Sequence, residues 1–203
     1  MGGSTQQKNP LKFKDLGTLG GALRLSEALD GSVDDAVLIR ERAIEYLKAS
    51  PELREIEIGK VSAGAGVYDT AKNRVGLATV NPDILAHEME HARVLQHPSL
   101  YRSILQLSKG VSGVATIAAL PTVLGLHYFI KDRNERNAAL KSLAGIAAIA
   151  AVPNLIEEGR ASIRAVSGSP DRAQTVTELA PGFGSHLVQG MLAPGILYAG
   201  TRV

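Results

Sequence analysis

The chain of 203 residues contains no cysteine and no tryptophan. Without cysteine there is no disulfide, no thiolate ligand and no cysteine nucleophile, so a metal site would have to use histidines and carboxylates. Aromatic residues make up only 4% of the chain, which leaves few ring faces for stacking nucleobases. The 22 basic and 20 acidic residues give a net charge of only +2. Nucleic acid is therefore not expected as a partner.

The N-terminus lacks the pattern of a secretory signal peptide. The apolar run over residues 16–23 is short and rich in glycine, and it follows Asp15. We expect residues 1–20 to be a flexible N-terminal segment and residues 21–203 to form a single domain. With no signal peptide to export it, this domain is expected in the cytoplasm.

Hydrophobic periodicity predicts one amphipathic helix and then a small β-sheet. Ser32 is a candidate N-cap, and apolar residues at helical spacing predict a helix over residues 33–48. Apolar and charged residues alternate over residues 54–58, which predicts a strand. Two further extended runs, 63–68 and 75–80, are separated by turn-forming residues and predict a β-hairpin.

The next segment carries the motif His-Glu-Met-Glu-His at residues 87–91, on a helix that independent signals predict. Asn81 is a favourable N-cap and Pro82 a favourable first residue, and the helix should run to about Gln96. Histidines four residues apart share one helix face, so both imidazoles can reach one Zn²⁺. Glu88 can take a proton from a metal-bound water, whereas Glu90 is expected to face solvent.

Two uncharged runs follow the motif helix. Residues 111–130 are long enough to span a bilayer, and residues 142–156 form a shorter, alanine-rich run after a charged turn. Together they predict a hydrophobic helical hairpin over residues 111–156, in or at a membrane. The alternative is a pair of buried helices in a soluble cytoplasmic protein, which the shortness of the second run favours. A third hydrophobic helix is expected within the last thirty residues.

A catalytic zinc site needs a third protein ligand. In the absence of cysteine, the candidates are His97, His127, His186 and carboxylates. No glycine lies between the motif and His97, which rules out the extended motif of the metzincins. A different order of features stands out: strand hairpin, motif helix, hydrophobic hairpin, then Glu-Glu-Gly-Arg-Ala at residues 157–161.

This order of features resembles the gluzincin metallopeptidases. It is most similar to the membrane group that includes the CAAX-processing endopeptidases and the heat-shock membrane proteases, and the resemblance covers about residues 54–166. It implies an α+β, mainly helical fold with a zincin-like core, in which a small β-sheet packs on the motif helix and the hydrophobic hairpin is inserted. It further implies Zn²⁺ as the cofactor and peptide-bond hydrolysis as the reaction.

The resemblance also implies roles for individual residues. His87, His91 and Glu158 would bind the zinc, with Glu157 as the alternative third ligand. Glu88 would be the general base. Ser162 stands where these families usually have an Asp that orients a ligand histidine. This departure is expected to affect metal affinity more than ligation.

Further residues are implied for the substrate. A peptide or protein would add as a strand to the sheet edge at Gly64, Ala65, Gly66 and Val67. His186, Arg160 and Arg164 are candidate stabilisers of the transition state. The implied function is a membrane-associated zinc metalloendopeptidase whose catalytic domain lies in the cytoplasm. The alternative is a non-catalytic structural or membrane-interacting protein on a gluzincin scaffold.

Overall fold

The computed structural model describes residues 9–62 and 66–203 of the chain. They divide into two compact units. The first unit holds the residues up to His97 together with Ala161–Leu179, and the second holds Pro98–Arg160 together with Ala180–Val203. A single domain over residues 21–203 was expected. Each unit has a buried apolar cluster of its own, which explains the division.

The described residues are mainly helical and include one small sheet, as the predicted α+β class requires. The helices are α1 (Gly21–Leu29), α2 (Val33–Ala49), α3 (Pro82–Leu95), α4 (Leu100–Phe129), α5 (Arg133–Ser167) and α6 (Arg172–Ala199). The strands are β1 (Leu11–Lys12), β2 (Glu57–Lys60), β3 (Gly66–Asp69) and β4 (Arg74–Leu77).

The described strands form a mixed sheet in the order β1-β2-β4-β3. Strands β3 and β4 pair antiparallel, with Tyr68 opposite Val75, which confirms the predicted hairpin. Strand β2 runs parallel to β4 and antiparallel to β1. The hairpin strand β3 therefore lies at an edge of the described sheet, where one side of its backbone has no strand beside it.

Of the segment expected to be flexible, residues 1–8 lie outside the described residues, and residues 9–20 contribute to the core of the first unit. Leu11 lies in β1, and a 3₁₀ helix, Phe13–Gly17, follows directly. The side chains of Phe13 and Leu16 are fully buried. Burying these large apolar groups offsets the entropy of ordering the segment. Two residues of strand and one 3₁₀ turn are too short to produce a periodic signal in the sequence.

The second unit consists of α4, the part of α5 up to Arg160 and the part of α6 from Ala180, around a small apolar cluster. The cluster is rich in alanine, and its buried members are Ala119, Val123, Leu140, Ala144, Ala147, Ala193 and Leu197. Many larger apolar side chains face outward instead, among them Val114, Leu120, Leu124, Ile146, Ile149, Val188 and Met191.

Helices α4 and α5 are long and apolar enough to cross a membrane. Each is one continuous helix, with Pro121 inside α4 and Pro153 inside α5. Only 11% of the apolar window of α4 and 22% of that of α5 is buried, and a core helix of a soluble protein would be mostly buried.

Candidate metal centre

Helix α3 carries the His-Glu-Met-Glu-His motif near its middle. Asn81 caps the helix, since its Oδ1 accepts hydrogen bonds from the backbone N–H groups of Asp83 and Ile84 at 2.8 and 3.0 Å. Pro82 is the first helical residue, where no N–H is needed. These local contacts hold the predicted helix start in place, and the motif histidines consequently share one face.

The two histidines point their Nε2 atoms at one place. The Nε2 atoms of His87 and His91 are 3.1 Å apart, and the rings are nearly perpendicular. Two Zn–N bonds of about 2.0–2.1 Å at a tetrahedral angle require roughly 3.3 Å between the nitrogens. The observed separation is close to that requirement, so the pair fits a tetrahedral metal ion.

Ser162 on α5 supports the first histidine. Its Oγ lies 3.3 Å from Nδ1 of His87, so this contact is made by the ring nitrogen other than Nε2. A hydrogen bond at the second ring nitrogen is the usual means of orienting a ligand histidine. The position at which the resemblance implies an Asp therefore contacts the histidine with a neutral hydroxyl group.

Glu158 completes a buried group that could hold a metal ion. It lies one turn before Ser162 on the continuous helix α5, so the two side chains share a face. The ligand atoms of His87, His91 and Glu158 all lie within 4.8 Å of one another. Two imidazoles and one carboxylate form a known ligand set for catalytic zinc.

Glu157, the alternative ligand, is held by other partners. Its carboxylate accepts a hydrogen bond from Tyr101 Oη at 2.9 Å. Arg160 binds the same carboxylate through two nitrogens, at 2.6 and 2.8 Å. Because adjacent helical residues point about 100° apart, Glu157 and Glu158 cannot both face the histidines.

The predicted substrate edge is partly within the described chain. Gly64 and Ala65 lie outside the described residues, whereas Gly66 and Val67 begin the edge strand β3. A methyl group at residue 66 would lie 2.6 Å from Cγ2 of Ile84 and 3.0 Å from Cγ of Glu88. Only glycine therefore allows the strand to approach α3 so closely, and this approach occurs beside Glu88.

Comparison with known proteins identifies no relative of this chain. No protein-family model matches the chain, and no curated protein or solved structure is significantly similar to it. The interpretation of the site therefore depends on the geometry of its own residues.

The candidate transition-state stabilisers have different surroundings. Arg160 is bound to Glu157, and Arg164 Nη1 lies 3.2 Å from Glu90. His186 is half-exposed, and its Nε2 lies 3.6 Å from Glu158. His186 is thus placed beside a residue of the metal-binding group.

The other histidines lie away from that group. His97 is exposed, and its Nε2 lies 3.7 Å from Glu52. The Nε2 of His127 lies 2.9 Å from the carbonyl oxygen of Gly200. Neither belongs to the group of possible metal ligands among the described residues.

Glu90 is buried, contrary to the expectation that it faces solvent. It is only 3% exposed, and its carboxylate pairs with Arg93 at 3.0 Å and with Arg164 at 3.2 Å. Burial raises the pKa of the nearby Tyr46 phenol, and the negative charge of Glu90 raises it further. Tyr46 Oη also donates to the carbonyl of Ala86. These contacts hold α3 against α2 and the end of α5.

Proposed function

We propose that the chain is a zinc-dependent metalloendopeptidase that hydrolyses peptide bonds and is associated with a membrane. The observation that carries the proposal is the convergence of His87, His91 and Glu158 on one point. Glu88 is buried on the same helix, at 6% exposed, and lies beside the edge strand β3. Ligand set, proton acceptor and substrate edge are the three components that such hydrolysis needs.

Different residues of the chain have different roles in the proposed hydrolysis. A zinc ion held by the three ligands would lower the pKa of a bound water and polarise the scissile carbonyl. Glu88 accepts the proton of the attacking water and later donates it to the leaving amine. The free edge of β3 offers backbone N–H and C=O groups to an extended substrate. His186 donates a hydrogen bond to the developing oxyanion.

The distribution of apolar side chains supports the membrane part of the proposal. In the second unit the exposed helix faces carry large apolar residues, such as Val114 and Leu124 on α4 and Ile149 on α5. Contact of these apolar faces with lipid would carry no hydrophobic cost, whereas their exposure to water is unfavourable. Proline inside long helices, as at Pro121 and Pro153, is also more frequent in membrane helices than in soluble ones.

The test of the metal centre is zinc analysis of the purified full chain. We expect about one zinc per chain, in line with three protein ligands. Glu158→Gln should lose most of the metal at equal free zinc concentration. Glu157→Gln is the matched control on the neighbouring residue and should retain it. Zinc-free protein that nevertheless hydrolyses peptides would refute the proposal. If only the Glu157→Gln variant loses the metal, Glu157 rather than Glu158 is the third ligand.

The membrane part has a separate test. The full chain should stay with the membrane fraction after extraction with alkaline carbonate. Two arginines at exposed positions of α4, Val114→Arg with Leu124→Arg, would each cost up to about 3 kcal/mol, the value for the bilayer centre, and should move the protein out of that fraction. Leu38→Arg places one such charge at an exposed position of the first unit and should not change the fraction in which the protein is found. A soluble wild-type protein would contradict the membrane association.

A further inference from the structure

One end of the second unit carries a concentration of positive charge, in residues 130–141 and 200–203, which we call the cationic end. These residues connect α4 to α5, begin α5 and follow α6. They include two acidic side chains and five basic ones, which are Lys131, Arg133, Arg136, Lys141 and Arg202. Their side-chain charge is therefore +3, whereas the whole chain carries only +2. The positive charge of the protein is thus concentrated at this end.

The two parts of the cationic end lie together in the fold of the second unit. Nε2 of His127, near the end of α4, lies 2.9 Å from the carbonyl oxygen of Gly200. A methyl group at residue 200 would lie 2.8 Å from Cγ1 of Val123 and 3.4 Å from Cδ1 of Leu140. Gly200 therefore packs against the end of α4 and the first part of α5, which brings Arg202 to the same end as the connection.

The acidic side chains of this end do not neutralise its basic ones. Oδ1 of Asp132 accepts a hydrogen bond from the backbone N–H of Glu135 at 2.9 Å, which caps the start of α5. Glu135 lies in the first turn, where the helix dipole favours a negative charge. Within the described residues, Lys131, Arg133 and Arg202 form no ion pair with a carboxylate. Their charges are therefore available to an external partner.

Exposed aromatic residues accompany these cations. Nζ of Lys131 lies 5.4 Å from the ring centre of Tyr128, and the guanidinium carbon of Arg202 lies 5.9 Å from that of Tyr198. Tyr128 and Phe129 are 70% and 78% exposed. Water gains nothing from contact with such rings. Tyrosine is enriched instead at the boundary between lipid tails and headgroups, where one end of its side chain is apolar and the other is polar.

The cationic end follows an uncharged stretch as long as a bilayer core is thick. Helix α4 has no acidic or basic residue from Gly110 to its end at Phe129. About 20 residues at a rise of 1.5 Å each span about 30 Å, the thickness of the hydrocarbon core. When the apolar faces of the unit are in lipid, the basic residues that follow this stretch can therefore reach the phosphate layer.

We propose that the cationic end binds the headgroups of anionic phospholipids, with Lys131, Arg133 and Arg202 contacting phosphate groups. This inference rests on the proposed membrane association, to which it adds the class of lipid and the surface that recognises it. An acidic protein would match the charges, but it would leave the exposed apolar faces of α4 and α5 uncovered. Each basic residue near an anionic membrane surface strengthens the attraction about fivefold.

The absence of tryptophan allows this end to be observed selectively. Phe129→Trp places one tryptophan at the cationic end, and Leu100→Trp places one at the opposite end of α4, where Leu100 is 79% exposed. Each full-length variant is reconstituted into bilayers of phosphatidylcholine and phosphatidylglycerol, and one lipid at a time carries bromine atoms that quench tryptophan on contact. At equal mole fractions, the quenching of Phe129→Trp should correspond to at least about fivefold enrichment of phosphatidylglycerol. Leu100→Trp should show less than about twofold enrichment.

Charge variants separate this surface from the overall charge of the protein. In the Phe129→Trp background, Lys131→Gln with Arg133→Gln should abolish the enrichment. Arg102→Gln with Lys109→Gln removes the same charge from the first part of α4 and should leave it unchanged. Sodium chloride at about 1 M shortens the screening length to about 3 Å and should abolish it too. Enrichment that survives the first pair of substitutions would overturn the inference.

The outcomes distinguish this inference from the membrane association on which it rests. Equal quenching by the two brominated lipids would mean that the end contacts lipid without selecting the headgroup charge, which overturns the inference while leaving the membrane association intact. No quenching by either lipid would overturn it as well, because the end would then not contact lipid. Extraction of the wild-type protein by alkaline carbonate would refute the membrane association itself.

Discussion

Glu88→Gln is expected to lower kcat/KM for peptide hydrolysis by about 10²–10⁴-fold, the usual contribution of a general base. The amide is nearly the size of the carboxylate but cannot accept the proton of the attacking water. Because Glu88 is not among the metal-binding group, zinc content should stay the same. The measurement is the steady-state rate on a fluorogenic peptide mixture, with zinc per chain determined on the same sample.

Glu90→Gln is the control for this experiment. Glu90 is the other acidic residue of the motif, but it is paired with Arg93 and Arg164. Its replacement should affect stability more than the rate per folded molecule. If Glu88→Gln hydrolyses peptides as fast as the wild type, Glu88 is not the base. If the protein's cellular role also persists in that variant, the alternative of a non-catalytic structural or membrane-interacting protein is favoured.

Phe13→Ala is expected to destabilise the first unit by about 3–5 kcal/mol. The side chain of Phe13 is fully buried among apolar residues of the first unit, so truncation would remove its transfer free energy and leave a cavity. Leu19→Ala is the control in the same segment, since Leu19 is fully exposed, and it should change stability by less than about 0.5 kcal/mol.

The measurement for this pair is urea unfolding followed by the far-ultraviolet circular dichroism signal. The transition of the first unit should shift to lower urea for Phe13→Ala with an unchanged slope. Equal midpoints for the two variants would mean that the segment before α1 does not contribute to the core.

The motif helix was predictable from sequence because its determinants are local. Asn81 and Pro82 set the start of α3 through contacts within four residues, and the spacing of His87 and His91 then places both rings on one face. The hairpin of β3 and β4 was predictable for the same reason, since its turn residues are contiguous in the chain.

Other features depend on contacts between distant residues and could not be predicted. Strand β1 exists only because it pairs with β2, and its two residues carry no periodicity. Glu90 is buried because Arg164, far along the chain, pairs with it. The division into two units depends on which apolar helix faces pack against each other. The hydrophobicity of the sequence does not specify how these faces pair.

The choice between Glu157 and Glu158 required the structure as well. Both residues lie on α5, and sequence spacing does not fix the rotation of a helix about its axis. In the structure, Ser162 contacts His87, and Glu158, rather than Glu157, belongs with the histidines to the described group that could hold a metal ion. The carboxylate of Glu157 is bound by Tyr101 and Arg160 instead.

The hydroxyl of Ser162 also bears on how the site would be loaded with metal. A neutral partner polarises the imidazole of His87 less than a carboxylate does, and loss of such support typically weakens metal binding by about 10–100-fold. Under the proposed function, a site supported in this way would exchange its metal faster than one backed by Asp. The active fraction of the protein would then depend on the free zinc concentration of its compartment. At the same zinc concentrations a site supported by a carboxylate would already be saturated.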